Sequence, residues 1–297
     1  TASNQDGRSS GLTAPNGPSQ EAVIRAAITL KLCTFEDTGA VVANAPAHTD
    51  LYINPGGEET DPELIAFSRR FGELDRHDAL PRDRHPEYPE LLCVTNRPNP
   101  DGSPSDSRYT GRQWHSDMSF TPIPSLGSLL RAITIPEVGG DTVFANMYLA
   151  YETLSDGMKN LIADLHGIQM SGTRKIADAS LAVERTQEQL KLNPPIAQPV
   201  VRVHPETGRK ALYLGDKVKR FDGLTEDESR PIIEYLNAHS TRHEFVYRHQ
   251  WRKDDIIVWD NRCTMHLALG DFDETQRRHL ERTTVLGTPS GYVVADA

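Results

Sequence analysis

The chain has 297 residues, 42 of them acidic and 32 basic, for a formal charge of −10. That length supports one large β-rich domain or two smaller ones whose core buries most of its apolar surface without a partner. The acidic balance argues against nucleic-acid binding, for which a basic face is needed, and leaves room only for a local basic pocket.

No run approaches the roughly 18 apolar residues of a membrane span, and no basic-then-apolar leader is present, so a cytoplasmic chain with no membrane partner is expected. Cys33, Cys93 and Cys263 are odd in number and widely spaced, which suits reduced thiols better than a disulfide framework. Homo-oligomerisation is left open.

Residues 1 to about 20 are rich in Ser, Gly, Asn and Pro and read as a mobile segment ahead of a single domain over 21–297. Thr60-Asp61-Pro62 offers a cap and a first-turn proline, after which Leu64, Phe67 and Phe71 recur at helical spacing. Ser155 caps a second helix with Met158, Leu161, Ile162 and Leu165 on one face. Thr225 and Glu228 form a capping box ahead of Ile232, Ile233 and Leu236. Strands are expected near 90–95, 129–135, 142–145, 199–204, 211–214, 244–248, 255–260 and 282–286. The polar stretch from about 166 to 198, closed by Asn193-Pro194-Pro195, reads as an insertion or lid. Many short strands between turns point to a mainly β fold, a jelly roll decorated with helices.

His-x-Asp/Glu tripeptides recur along the chain, among them His48/Asp50, His85/Glu87, His115/Asp117 and His204/Glu206. The pattern alone is weak in an acidic chain with eleven histidines. His85 and His204 precede prolines, which are disfavoured inside strands, and His204-Pro205-Glu206-Thr207-Gly208 reads as a turn. In a strand, His115 and Asp117 would point the same way with Cα atoms about 6 to 7 Å apart, close enough to chelate one ion. Two imidazoles and a carboxylate on one face of an octahedral ion leave three positions open, the arrangement of non-heme Fe(II) oxygenases. The third ligand must come from elsewhere in the chain. Cys263 reads as a packed thiol.

Near the C-terminus, period two puts Arg278, Leu280, Arg282 and Thr284 on one strand face. Arg278 and Arg282 would then stand roughly 13 Å apart, too far to grip one small carboxylate together. They read as receptors for two different anions, a task that suits planar guanidinium groups. Arg277 reads as an outward charge.

Four separated blocks carry a family resemblance over residues 52 to 290: Gly111-Arg-Gln-Trp-His-Ser-Asp-Met-Ser-Phe120, Pro136-Glu-Val-Gly-Gly-Asp-Thr142, Val203-His-Pro-Glu-Thr-Gly-Arg209 and Val258-Trp-Asp-Asn-Arg-Cys-Thr-Met-His266. Together they resemble the taurine dioxygenase/aryloxyalkanoate dioxygenase (TauD/TfdA) family of Fe(II)- and 2-oxoglutarate-dependent enzymes. The resemblance implies a cupin-like double-stranded β-helix, with Fe(II) held by the catalytic residues His115, Asp117 and His266. It implies that Thr142 and Arg278 hold the distal carboxylate of 2-oxoglutarate, and that Arg282 and His77 meet an anionic group on the primary substrate. O2 would be consumed, with succinate and CO2 as co-products, in hydroxylating a C–H of a small organic anion such as a sulfonate, sulfate ester or aryloxyalkanoate. Related halogenases lack the carboxylate ligand, so Asp117 favours hydroxylation.

The chain departs from the family in three places. The sequence of residues 1 to about 50 does not show the family's opening pattern of a glycine-punctuated strand and an apolar strand, Leu80 stands where a tyrosine is expected, and Gly111 stands where an asparagine is expected. A larger, less polar anion than taurine fits those changes. Two other readings remain open: a metal-dependent hydrolase, or a non-catalytic anion-binding protein, each on a cupin-like barrel.

Overall fold

In chain order the elements are β1 (Ala43–Ala45), α1 (Asp61–Ser68), β2 (Leu92–Thr95), β3 (Ser125–Thr134), β4 (Thr142–Asn146), α2 (Met147–Glu152), α3 (Asp156–Ile162), β5 (His166–Gln169), β6 (Ile196–Pro199), β7 (Val201–Val203), β8 (Lys210–Leu212), β9 (Val218–Phe221), α4 (Glu226–Ser240), β10 (Val246–His249), β11 (Ile256–Asp260), β12 (Thr264–Ala268), β13 (His279–Leu286) and β14 (Tyr292–Val293). They come from a computed structural model that describes residues 43–45, 61–80, 83–98, 102, 109–171, 191 and 193–294. The terminal segment over 1–20, Cys33, His48 and most of the expected lid lie outside those residues.

A five-stranded antiparallel sheet in the order β1-β11-β3-β13-β2 faces a three-stranded one in the order β10-β4-β12. Side chains from both inner faces meet between them: Phe144 of β4 lies 5.4 Å, centroid to centroid, from Trp259 of β11, and Leu92, Leu130, Ile257 and Leu280 complete that core. Two antiparallel layers closing on one apolar interior make the jelly roll expected from the spacing of strand signals. Helix α1 covers the outer face of the larger sheet, where Leu64 and Ile65 pack with Leu129 and Val285. A second apolar cluster joins α2 and α4 to β8, β9 and β12 through Met147, Ile233, Leu236, Leu212, Phe221 and Met265.

Local chemistry accounts for the helix starts. Ser155 accepts the Met158 amide, and Thr225 and Glu228 form a reciprocal capping box. Helix α3 stops at Ile162, so Leu165 lies beyond it, and Leu161 is exposed rather than part of a packing face.

The expected strand over 199–204 is two strands. At Val200 the chain changes partners, its amide bonding to Leu165 and its carbonyl to Tyr213, which carries it from β6 into the β7–β8 hairpin. The stretch read as a lid begins and ends in strands that pair with each other, β5 with β6. Their sequences, His-Gly-Ile-Gln and Ile-Ala-Gln-Pro, carry weak strand propensity, and tertiary pairing overrides it. Strands β9 and β12 were not expected from propensity either. The latter matters most, because Thr-Met-His-Leu-Ala is held in place by its pairing with β4.

Leu129 is fully buried at the middle of β3, within the cluster that α1 covers. Leu129→Ala is expected to cost about 2–5 kcal/mol of unfolding free energy, measured by chemical denaturation.

Candidate active site

Two histidines from distant parts of the chain meet as an isolated antiparallel bridge. The His115 amide donates to the His266 carbonyl at 3.1 Å, and the His266 amide returns the bond at 2.8 Å. Their imidazoles consequently lie side by side, ring centroids 4.2 Å apart. His115 is thus a single bridge residue rather than part of a strand, and Asp117 lies in the turn that follows. The turn brings the carboxylate back to the pair: Asp117 Oδ1 is 3.7 Å from His115 Nε2 and 3.8 Å from His266 Nε2. All three ligand atoms lie within 4.8 Å of one another, and with a small contraction they could surround one divalent ion at roughly 2.0–2.2 Å from each.

Protonation favours that use. His115 Nδ1 is 2.7 Å from the Gln113 carbonyl, which can only accept, so Nδ1 carries the hydrogen and Nε2 offers its lone pair toward Asp117. Burial holds both imidazoles below their ordinary range, His266 strongly and with added repulsion from His115. Burial pushes Asp117 the other way, but Arg282, then His266, His115 and Ser128, outweigh it and hold the carboxyl well below the usual carboxylate range. Two neutral imidazoles and one carboxylate are the charge set of a facial triad.

A second group of metal-ligating types, His204, Asp260 and Cys263, is equally close-set. Its carboxylate is already engaged. Arg262 donates to both Asp260 oxygens, and His204 Nε2 lies 3.0 Å from Oδ2. The Glu206 and Thr207 amides both donate to His204 Nδ1, which leaves the hydrogen on Nε2. His204 is therefore a buried clamp between the β7–β8 turn and the end of β11. Cys263 is buried, with its thiol pushed up by burial, so it is a packed thiol as its sequence context indicated.

Arg278 is buried, its Nε donates to the Gly140 carbonyl at 2.9 Å, and its Nη2 has no partner among the described residues. Burial, with the Arg112 guanidinium beside it, lowers Arg278 to about 10, so it stays charged at neutral pH. Gly139 and Gly140 have φ of +78° and +69°, and a Cβ on Gly139 would stand 2.3 Å from the Asp271 carbonyl oxygen. Only glycine lets this turn approach so closely. Thr142, the first residue of β4, accepts the Trp251 indole N–H at 3.0 Å, so its own hydroxyl hydrogen remains free to donate. A buried guanidinium with an unpartnered Nη2 and a free hydroxyl donor are groups that suit a carboxylate. Arg277 is exposed.

Arg282 does not stand free. Its Nη1 donates to Asp117 Oδ1, while its Nε has no partner among the described residues. His77, expected as a substrate contact, is fully buried: Nδ1 meets the Pro89 carbonyl at 3.3 Å and Nε2 meets Thr284 Oγ1 at 3.1 Å. Both ring nitrogens are used, and Thr284 shares the Arg282 face of β13. Leu80 packs against the core between the sheets.

Sequence reading passed over several residues that shape the site. Ser128 and Asn261 hold Asp117, Trp251 bonds Thr142, and Arg112 lines the cleft beside Arg278 together with Asn96, Thr110 and Phe272. Trp251 and Asn261 flank the strand that leads to His266, the one local signal that could have drawn attention to them.

Comparison with known proteins gives one pattern. A family model described as taurine catabolism dioxygenase TauD, TfdA family matches residues 49–284. An alpha-ketoglutarate-dependent 2,4-dichlorophenoxyacetate dioxygenase of Burkholderia sp. (strain RASC) is 34% identical over 235 residues, covering 76% of this chain and 77% of the relative. An alpha-ketoglutarate-dependent sulfate ester dioxygenase of Pseudomonas putida is 35% identical over 256 residues, covering 84% and 80%. Among solved structures, AAD-2 in complex with Mn(II) and N-oxalylglycine matches with a TM-score of 0.67 at 36% identity, covering 78% of this chain and 82% of that one. A taurine dioxygenase from Burkholderia xenovorans matches with a TM-score of 0.61 at 31% identity, covering 79% and 78%.

His77 makes the site sensitive to acid. Burial, and secondarily Arg282, lowers its pKa from the ordinary 6.5 to about 4. Between those values the unfolded chain takes up a proton that the folded chain refuses, so this contribution to stability is full above about pH 6.5 and declines as pH falls toward 4. In His77→Asn the slope of unfolding free energy against pH in that window is expected to lessen by up to about 1.4 kcal/mol per pH unit, read from denaturation curves across the range.

Proposed function

The chain belongs to the TauD/TfdA family and is an Fe(II)- and 2-oxoglutarate-dependent dioxygenase, and from that premise we propose that His115, Asp117 and His266 hold its iron while Arg278 and Thr142 hold the distal carboxylate of 2-oxoglutarate. Two observations carry this reading: the close-set His-Asp-His group, and the buried Arg278 whose Nη2 has no partner among the described residues. When bound, iron and 2-oxoglutarate supply the oxidising power: one oxygen atom of O2 goes into succinate as CO2 leaves, and the other becomes the hydroxyl on a substrate C–H.

The protein's own residues bind, orient and exclude water. Arg278 brings a fixed fork of donors to the distal carboxylate, and the Thr142 hydroxyl, held by Trp251, adds one more. The Gln113 carbonyl keeps His115 in the tautomer that frees Nε2. Arg282, with its free Nε, attracts the anionic group of the primary substrate beside the iron, and His77 backs that wall through Thr284.

The primary substrate in this reading is a small organic anion of the aryloxyalkanoate or sulfate ester class, not a nucleic acid or a membrane surface. The relatives named for 2,4-dichlorophenoxyacetate and sulfate esters support that class, and so does Leu80 in place of a tyrosine. Hydroxylation at a carbon bearing the ether or ester oxygen gives a hemiacetal-type product that breaks at that C–O bond.

Anaerobic addition of Fe(II) and 2-oxoglutarate to metal-free protein tests the reading directly. A visible metal-to-ligand charge-transfer band is expected, and its absence would overturn the assignment. Succinate release across sulfonates, sulfate esters and aryloxyalkanoates then ranks substrates. Arg278→Ala is expected to raise the KM for 2-oxoglutarate roughly 10- to 100-fold, the worth of a charged hydrogen bond. Asp117→Ala should abolish hydroxylation. Arg282→Ala should weaken binding of the primary substrate more than that of 2-oxoglutarate, and the reverse order would exchange the roles of the two arginines.

A further inference from the structure

Asp117 is held by a closed ring of hydrogen bonds with one consistent direction. Its backbone N–H donates to Asn261 Oδ1 at 3.1 Å, and the Trp259 indole N–H donates to the same oxygen at 3.0 Å. Both groups can only donate, so they fix which end of the Asn261 amide is oxygen. The amide Nδ2 then donates to Ser128 Oγ at 2.9 Å. With that lone pair used, the single hydroxyl hydrogen of Ser128 goes to Asp117 Oδ2 at 2.7 Å. Ser128, Asn261, Trp259 and Asp117 are all buried, and Ser128 sits opposite Trp259 in the β3–β11 register.

The two carboxylate oxygens therefore have different surroundings. Oδ1 faces both imidazoles and also accepts from Arg282, whereas Oδ2 is turned away onto the serine hydroxyl. A carboxylate free to present both oxygens would take two positions on an ion and leave only two vacant on an octahedral one. Chelation by the co-substrate would fill both, with none left for O2.

We propose that Ser128, held by Asn261, is the positioning residue that makes Asp117 a one-oxygen ligand and so keeps the third coordination position open. The proposal rests on the iron site argued above. Their hydrogen bonds reach the ligand set through Asp117, so both act by constraining its rotation. The Asn261 amide also ties the turn carrying Asp117 to Trp259, whose ring packs 4.8 Å from that of His266, so one side chain coordinates the placement of two ligands.

The test compares wild type, Ser128→Ala and Ser128→Thr loaded anaerobically with Co(II). Metal-minus-apo infrared difference spectra report the gap between the antisymmetric and symmetric carboxylate stretches, which is wide for one-oxygen and narrow for two-oxygen coordination. Asp117→Asn identifies the band. In Ser128→Ala the gap should narrow, Co(II) affinity should hold within about 10-fold or tighten, and 2-oxoglutarate affinity for the loaded protein should fall at least 10-fold although Arg278 is untouched. Ser128→Thr, which keeps the hydroxyl, should restore the wide gap and the affinity. A Ser128→Ala protein with the wide gap and wild-type 2-oxoglutarate affinity would overturn the proposal. So would equal weakening of Co(II) and 2-oxoglutarate binding with the gap unchanged, which is what a merely structural role gives. If Asp117→Asn binds Co(II) as tightly as wild type, the metal-site reading itself fails, an outcome distinct from a failure of the serine's role.

Discussion

A carboxylate buried among apolar strands is costly unless it is both paired and hydrogen-bonded, and Asp117 is the point at which this fold meets that cost. The side chain is 2% exposed, yet its charge is retained because Arg282 pairs with one oxygen and Ser128 donates to the other. Each of those partners belongs to a different strand of the larger sheet, and Asn261 joins the turn to a third. Removing the charge would leave Arg282 buried without its partner, and removing Arg282 would leave the carboxylate without its cation. Asp117, Arg282 and the register of the larger sheet are therefore one interdependent network.

The division of labour between the two sheets follows. The larger sheet supplies the charges and the hydroxyl cradle, from β3, β11 and β13. The smaller sheet supplies His266 from β12 and Thr142 from β4, each in a defined register. The His204–Asp260–Arg262 clamp fixes the corner between β11 and β12, so it sets the path of the chain into His266 without touching the triad. Arg278 sits at the entrance to β13, where the Gly139-Gly140 turn leaves just enough space for its side chain. Arg278 just before β13 and Arg282 within it place two guanidinium groups at separate points along the chain.

Much of this was legible in residue types. The capping box at Thr225 and Glu228, the core face of α1 and the main strands could be read locally because caps and periodicity depend on neighbours a few positions away. The candidate ligands were legible only from four motif blocks together, since the His-x-Asp/Glu pattern by itself also marks His204, which clamps Asp260 instead. What escaped was of two kinds. Strands β5, β6, β9 and β12 have weak propensities and exist because neighbouring strands pair with them. His77 gave no sign that it would be fully buried and neutral, because its partners are Pro89 and Thr284, the latter 207 positions away.

The sequence by itself determined the chemistry on offer: His115, Asp117 and His266 as candidate metal ligands, and guanidinium groups at Arg278 and Arg282 of a kind suited to anions. Tertiary structure decided how those groups are held. It paired Arg282 with Asp117, turned one carboxylate oxygen onto Ser128, occupied both nitrogens of His77, and brought Arg112 beside Arg278. The physical reason is range. The decisive hydrogen bonds join Ser128 to Asn261 across 133 positions and Asp117 to Arg282 across 165, and no local period or propensity reports which two buried polar groups will satisfy one another until the sheets have closed around them.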